Sequence, residues 1–438
     1  MPQAQATNPQ AELLIQRAQR VLPGGSLGNV YGDVVIREGR AGRVIDVDGN
    51  NYIDLLLGSG PMLLGHAHPE VVEAVASQVN RGTTFFANNE IAIALAERIV
   101  QASPCADKVR FTSSGTEANA YAMRAVRAFR GRDKILKFEG AFHGMSDLSL
   151  MSMAPDQPPD FPRAVPDSPG ISPSASGEVL IAPFNNVETT TAIIEKHHDE
   201  LAGVIVEPIQ RLIPPKPGFL AALREVTQQY ELPLIFDEVV TAFRFAYGGA
   251  QEYYGVVPDL CAMGKVVGGG FPLAAVAGRE EIMACFDPAA KADGRYLSQI
   301  GTLSGNPVAA AAGLATLDVL QRAGTYERLA ETGRQLIRAL EEGFRDAGIV
   351  AQVVGEPAMF DVFFTDTPIV DYRSTLTHNK QMLLDFVRLL LHRGVFRGDL
   401  KFYVSTAHTQ DDVSQAIEAF RSAIDELNRN RGRDGVLA

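Results

Sequence analysis

A single lysine, Lys265, opens the glycine-rich run "GKVVGGGFP" between the apolar flanks "DLCAM" and "PLAAVAG". A structural lysine snorkels its ammonium to water over an apolar stem, and that reading is open here. Enclosed by such flanks, the ammonium instead loses hydration, the neutral amine is favoured, and it becomes a nucleophile able to form a Schiff base with an aldehyde. The glycines let backbone or a ligand approach closely. Upstream, Asp237 ends the apolar run "LPLIFDEV". A carboxylate there caps the next element, holds magnesium, or pairs with a cationic ligand atom. A nucleotide hydrolase would also need G-x-x-x-x-G-K-S/T. The chain has none, and its lysine precedes the glycines.

Two further stretches offer an anion cradle and flat packing. In "RFTSSGTEANAYAMRAVRAFRG" an apolar run meets Ser114, Gly115 and Thr116, then an alanine-rich helix stopped by Gly131. Ser114 and Glu117 have capping-box spacing. Such a segment is an ordinary capped helix, or a phosphate site in which N–H groups, hydroxyls and the helix dipole favour a dianion. Glu207 ends "LAGVIVEP", and Phe142 and His143 stand in "GAFHG". An aromatic or imidazole ring there stacks on a planar ligand, or the histidine is buried and satisfied by hydrogen bonds. Together the pieces fit pyridoxal phosphate. It needs a phosphate cradle, a lysine for its aldehyde, a carboxylate for its pyridine nitrogen, and planar packing on its ring.

Elements must bring these groups together. From about Lys108, short apolar runs alternate with helical segments: "KVRFTSS", "DKILKFEG", "LAGVIVEP", "LPLIFDEV", "PDLCAMG" and "PLAAVAG". The runs are continuous, as in strands of a parallel sheet covered by helices on both faces. The expected class is therefore α/β, with ligands at the strand ends. Before this region, "AELLIQRAQRVLPGG" reads as a short amphipathic helix stopped at Pro23, and "GRVIDVDGNNYIDLL" as a β-hairpin around Asp48–Asn51. "PEVVEAVASQVNRG" and "NEIAIALAERIVQA" are helical by period. Met151 to Gly177, rich in Pro, Ser and Asp, reads as a long surface loop. "PVAAAAGLATLDVLQRA", "TYERLAETGRQLIRALEEGFRDAG" and "KQMLLDFVRLLLHRG" are long helices that suggest a second, α+β domain, followed by a frayed tail "NRNRGRDGVLA".

Composition sets the outer limits. The chain has 438 residues, 46% hydrophobic and 21% charged, which suits a globular protein of about two or three domains. The net charge of −12 argues against nucleic-acid binding, which needs a basic face. Three well-separated cysteines indicate neither a disulfide framework nor a zinc site, and no metal is expected. The start "MPQAQATNPQ" lacks the basic and apolar regions of a secretory signal, and no apolar run approaches the roughly 18 residues of a membrane span. A cytoplasmic protein with no membrane partner is expected.

These segments, with "DVDGNNYIDLLLGSGPMLLGHAHPEV", "GRDKILKFEGAFHG", "FDEVVTAFRFAYGGAQEYYGVVPDL" and "GTLSGNP", resemble the class III aminotransferases among the fold-type I pyridoxal-phosphate enzymes. Within them the chain is similar to the glutamate-1-semialdehyde 2,1-aminomutase branch. The likeness runs from about Pro23 to about Arg421. It implies a large domain with a mainly parallel sheet over residues 66–319, and a smaller α+β domain drawn from both termini, 1–65 and 320–438. It implies that Lys265 anchors the cofactor and carries the proton, and that Asp237 pairs with the pyridine nitrogen. Val239 would pack on one ring face, with Phe142 and His143 at the other. Ser114, Gly115 and Thr116 would bind phosphate, and Glu207 would lie near the ring hydroxyl or substrate. Thr302, in "GTLSGNP", would reach the phosphate of a neighbouring subunit, which implies a homodimer with shared sites.

The departures from the branch bear on substrate. Where the branch carries an arginine for the substrate carboxylate, "PGGSLGNVYG" has Tyr31. A phenol cannot form the bidentate pair of a guanidinium. A Gly-Asn element that the branch carries after Glu207 is missing. "EPIQRLIPPKPGF" instead brings Gln210 and Arg211 to the expected substrate side. Arg211 is then either the replacement carboxylate ligand or a surface-loop arginine. The reading that follows is an aminotransferase taking an amino group from an amino acid (α or β) or amine to a keto acid or aldehyde. The alternatives are semialdehyde isomerisation and, in another class, a non-catalytic regulatory protein that binds pyridoxal phosphate. Every catalytic-looking position is retained and no DNA-binding module is appended, which speaks against the last.

Overall fold

The computed structural model describes residues 9–29, 34–398 and 401–434. It divides into two units: the chain up to His68 with Glu327–Asp366 and Asn379 onward, and Pro69–Tyr326 with Thr367–His378.

In the first unit, β1 (Ile36–Arg40), β2 (Arg43–Asp46) and β3 (Asn51–Asp54) form an antiparallel meander. Asp46 shapes the β2–β3 turn expected at Asp48–Asn51. Its carboxylate accepts from the N–H groups of Asp48 and Asn50, at 3.0 and 2.8 Å, and from the Tyr52 hydroxyl.

The second unit is built on seven strands: β4 (Lys108–Thr112), β5 (Lys134–Phe138), β6 (Val179–Ala182), β7 (Leu201–Val206), β8 (Leu234–Glu238), β9 (Leu260–Met263) and β10 (Ala274–Gly278). Their order is β4-β10-β9-β8-β7-β5-β6. Strands β5 to β9 pair in parallel, whereas β10 runs antiparallel to both β4 and β9. Each of the six apolar runs is a strand, and the sheet is mainly parallel as expected, with β10 as its antiparallel member. Its continuous burial reports cover on both faces and nothing about direction. The Gly264–Leu273 link is too short for the crossover of about a dozen residues that parallel neighbours need. The helix Gly115–Arg130 buries Ala118, Ala122, Ala125 and Val126 with Ala202, Ile205, Ile235, Ala262 and Val276. Small side chains on the helix let its axis approach the sheet.

The C-terminal part of the first unit adds β11 (Gln352–Glu356) and β12 (Met359–Phe363), β13 (Val395–Phe396) parallel to β3, and β14 (Phe402–Tyr403) antiparallel to β12.

Two expectations need correction. Met151–Gly177 is not simply a surface loop. Met151, Ala164 and Ala175 pack with Val179 and Ile181 into a small core of their own. The tail does not fray at "NRNRGRD", because the helix Gln410–Asp434 runs through it. Val413, Ala416, Phe420, Ile424 and Leu427 bury one face, and helix propagation then needs little further help. Among the described residues no helix is long and apolar enough to cross a membrane, and no cluster of His, Cys, Asp or Glu is placed to hold a metal.

Candidate active site

The groups singled out in the sequence follow the carboxyl ends of β4, β5, β7, β8 and β9 in the second unit. After β4, Ser114 is extended and its Oγ accepts from the Glu117 N–H at 3.2 Å, while Glu117 reaches back to the Ser113 N–H at 2.7 Å. This cap fixes the helix start. Gly115 and Thr116 head the helix, where N–H groups have no partner within it. The helix dipole adds partial positive charge there.

Glycines bring this turn against its neighbours. A Cβ on Gly115 would stand 2.8 Å from Val239 Cγ1, and one on Gly264 would stand 3.1 Å from the same atom. Val239 is thus wedged between the Ser114–Thr116 turn and the Lys265 turn. A Cβ on Gly144 would meet Thr116 Oγ1 at 2.5 Å, and the Met145 N–H donates to that oxygen at 3.3 Å. Gly115→Ala is therefore expected to push Val239 aside and weaken pyridoxal-phosphate binding by about 10-fold, in line with overpacking costs of about 1–3 kcal/mol. Fluorescence titration of apoprotein checks this, and unchanged affinity would contradict it.

Asp237, 4% exposed, ends β8 within a convergent set of donors. Its Oδ2 receives Asn119 Nδ2 at 2.8 Å and His143 Nδ1 at 2.7 Å, and its Oδ1 receives the Val239 N–H at 3.0 Å. His143 departs from the stacking expectation. It is 0% exposed, and its ring turns into the protein to brace Asp237. Phe142 beside it is 38% exposed and free to pack against a planar ligand. Its N–H is held by Glu207 Oε2 at 2.9 Å.

Lys265 follows β9 and opens a short 3-10 turn at φ +50, a left-handed conformation that costs a non-glycine residue about 1 kcal/mol or more. It is half-buried. Burial pushes its pKa down. The Asp237 and Glu207 carboxylates oppose the shift, and the Arg244 guanidinium reinforces it. The balance shifts Lys265 toward its neutral form despite two nearby carboxylates.

The remaining candidates separate. Gln210 is 1% exposed and its Nε2 donates to Glu139 O at 2.7 Å, so it braces the backbone instead of facing a ligand. Arg211, at φ +60, donates from Nε to Gly140 O at 3.1 Å, and its guanidinium carbon is 5.1 Å from the Phe142 ring centroid. Thr302 is exposed and stands apart from the Lys265 cluster, in a groove with Phe85, Phe86, Gln299 and Ile300. Tyr31 lies outside the described residues. Asn119 escaped the sequence reading. Its one signal is an amide among the alanines of a buried helical face.

The arrangement fits pyridoxal phosphate: a helix start for the phosphate, a buried carboxylate, an exposed ring, and a lysine tuned toward its neutral form. Comparison with known proteins agrees. The family model for class III aminotransferases matches residues 27–424. A glutamate-1-semialdehyde 2,1-aminomutase of Desulfitobacterium hafniense is 40% identical over 424 residues, 94% of this chain and 97% of that protein. An omega-transaminase from Sphaerobacter thermophilus superposes with a TM-score of 0.91 at 37% identity, covering 95% of this chain and 98% of that one. A transaminase solved with pyridoxal phosphate bound gives 0.89 at 31%, covering 97% and 99%. The chain belongs to the class III aminotransferase family and is a pyridoxal-phosphate-dependent transaminase of fold-type I.

Proposed function

We propose that the enzyme moves an amino group from a carboxylate-bearing amino acid to a keto acid or aldehyde in two half-reactions, releasing a keto product after the first. The observation that carries this reading is the position of Arg211, whose guanidinium lies along the Phe142 ring. A donor stacked at Phe142 would present its carboxylate to that cation. The sequence offers Tyr31 where an arginine would otherwise do this.

Bound pyridoxal phosphate supplies an electron sink for the electrons left at the donor carbon. The residues of the chain supply the rest. Gly115 and Thr116 N–H groups and the flanking hydroxyls hold the phosphate. Asp237, oriented by Asn119 and His143, holds the proton on the pyridine nitrogen. Lys265 anchors the aldehyde carbon and moves the proton at the donor carbon through Nζ. Thr302 and its apolar neighbours Phe85, Phe86 and Ile300 are exposed in the single chain and suit a second copy that completes a shared site.

Arg211→Ala is expected to raise KM for carboxylate donors by about 10- to 100-fold, the worth of a hydrogen bond to a charged group. KM for an amine lacking the carboxylate should hold. Equal changes for both would sink the role. The 40% identity to an aminomutase supports a second reading, isomerisation of an amino aldehyde. The deciding experiment is stoichiometry with a donor panel. Transamination yields one keto product per bleached cofactor. An isomerase turns over glutamate-1-semialdehyde with no second keto product.

A further inference from the structure

Beneath the Phe142–His143 turn lies a lysine that the reaction does not use. Lys137, on β5, is 1% exposed. Its Nζ donates to Ser149 O at 2.7 Å, to Met151 O at 2.8 Å and, more loosely, to Ala141 O at 3.4 Å. An ammonium has three donors, and each has a carbonyl here. Among the described residues no carboxylate forms an ion pair with it. Burial pushes its pKa down to about 7. Asp167, Glu207 and Asp237 act on it from farther off to favour the charge, and Arg211 opposes it.

A buried cation without a direct counterion is costly, and an apolar side chain at such a strand position would stabilise the core more. The carbonyl fan offsets that cost and also ties the chain. Its acceptors come from the two ends of the segment Ala141–Met151, so the ammonium fills the inside of a loop whose neck is also closed by the backbone bond from Gly140 N–H to Ser152 O at 2.9 Å. Within that loop stand Phe142, held by Glu207, and His143, held by Asp237. Ser149 Oγ fastens the same loop from inside by donating to His143 O at 3.0 Å. The loop also reaches the phosphate turn, through Met145 N–H and Thr116. Deleting the ammonium would leave three carbonyls without this donor, and the loop would keep its backbone neck but lose the support inside it.

We propose that Lys137 is a positioning residue for the cofactor wall: from inside the loop it sets where Phe142 and His143 stand, and so how tightly pyridoxal phosphate is held, without touching it. This rests on Phe142 being that wall.

The test uses Lys137→Met and Lys137→Gln in the full-length protein, with Phe142→Ala as reference. Readouts are the pyridoxal-phosphate dissociation constant by titration of apoprotein and the visible circular dichroism per bound cofactor, with far-ultraviolet dichroism as the folding check. Lys137→Met is expected to weaken binding by about 10-fold, an effect of the size seen when a buried hydrogen-bonded charge is lost, and to diminish the visible signal. Lys137→Gln restores two N–H donors and should recover part of both. If Lys137→Met does not fold, Lys137→Gln carries the test, with an intermediate loss expected. Wild-type affinity and dichroism in a folded variant would overturn the proposal. If Phe142→Ala weakens binding while Lys137→Met does not, Lys137 alone is misassigned. If Phe142→Ala changes nothing, the wall and the proposal fall together.

Discussion

Lys265→Ala is expected to fold normally and to lose transamination by about 10³-fold or more, a combined loss of nucleophile and proton carrier. The backbone at φ +50 is no worse for alanine than for lysine, so the turn should persist. Burial disfavours the Lys265 ammonium, so removing it should leave the melting temperature level or raised. Lys265→Arg separates charge from nucleophilicity. It places a fixed cation near Asp237 and Glu207 but has no amine to attack an aldehyde, and it should be as inactive as the alanine variant. The direction of the pKa shift gives a further check. Only the neutral amine reacts, so apoprotein should take up pyridoxal phosphate faster as pH rises. The rate should level off below 10.5, the value of a free lysine. A plateau only at or above 10.5 would show that the amine is not tuned. An alanine variant with wild-type turnover would remove Lys265 from the chemistry.

Asp237→Asn should lower kcat by about 10²–10³-fold, the range for losing one preorganised charge at a reacting centre. Asn119, His143 and the Val239 N–H all aim donors at this carboxylate. An asparagine amide would turn its own NH2 toward one of them and would leave the pyridine nitrogen without an anionic partner. Asn119→Ala removes one of the three donors and should cost less, about 10-fold. The ordering Asp237→Asn, then Asn119→Ala, then wild type in kcat is the checkable result. Wild-type kcat in Asp237→Asn would mean that the carboxylate serves only to hold His143.

The candidate site was legible as a cluster because its groups sit where apolar runs stop. Glu207, Asp237 and Lys265 each end or follow a strand, and Ser114–Thr116 start a helix, so one-dimensional punctuation located them. What the sequence could not show is which of two neighbours faces a ligand. Phe142 and His143 are adjacent, yet one is open and the other faces Asp237. Gln210 and Arg211 are adjacent, yet one is buried under Glu139 and the other lies along Phe142. Tertiary packing makes those choices. Asn119 was missed for the same reason: a lone amide on an alanine-rich face becomes meaningful only when β8 brings Asp237 beneath it. Six of the seven strands of the large sheet were legible as continuous apolar runs, whereas β6 and the short strands β11 to β14 were not, and the direction of β10 follows from the length of its link and not from its composition. The small core within Met151–Gly177 was hidden because its apolar residues are dispersed among prolines and serines without a period.

The central claim is that Lys265 holds the cofactor. The most direct test is borohydride reduction of the holoenzyme, followed by proteolysis and mass mapping of the modified peptide. The expected result is one reduced pyridoxyl adduct per chain, on Lys265. An adduct on another lysine, such as Lys137, whose pKa burial also pushes down, would contradict the assignment. Absence of any adduct in a yellow protein would contradict covalent attachment altogether.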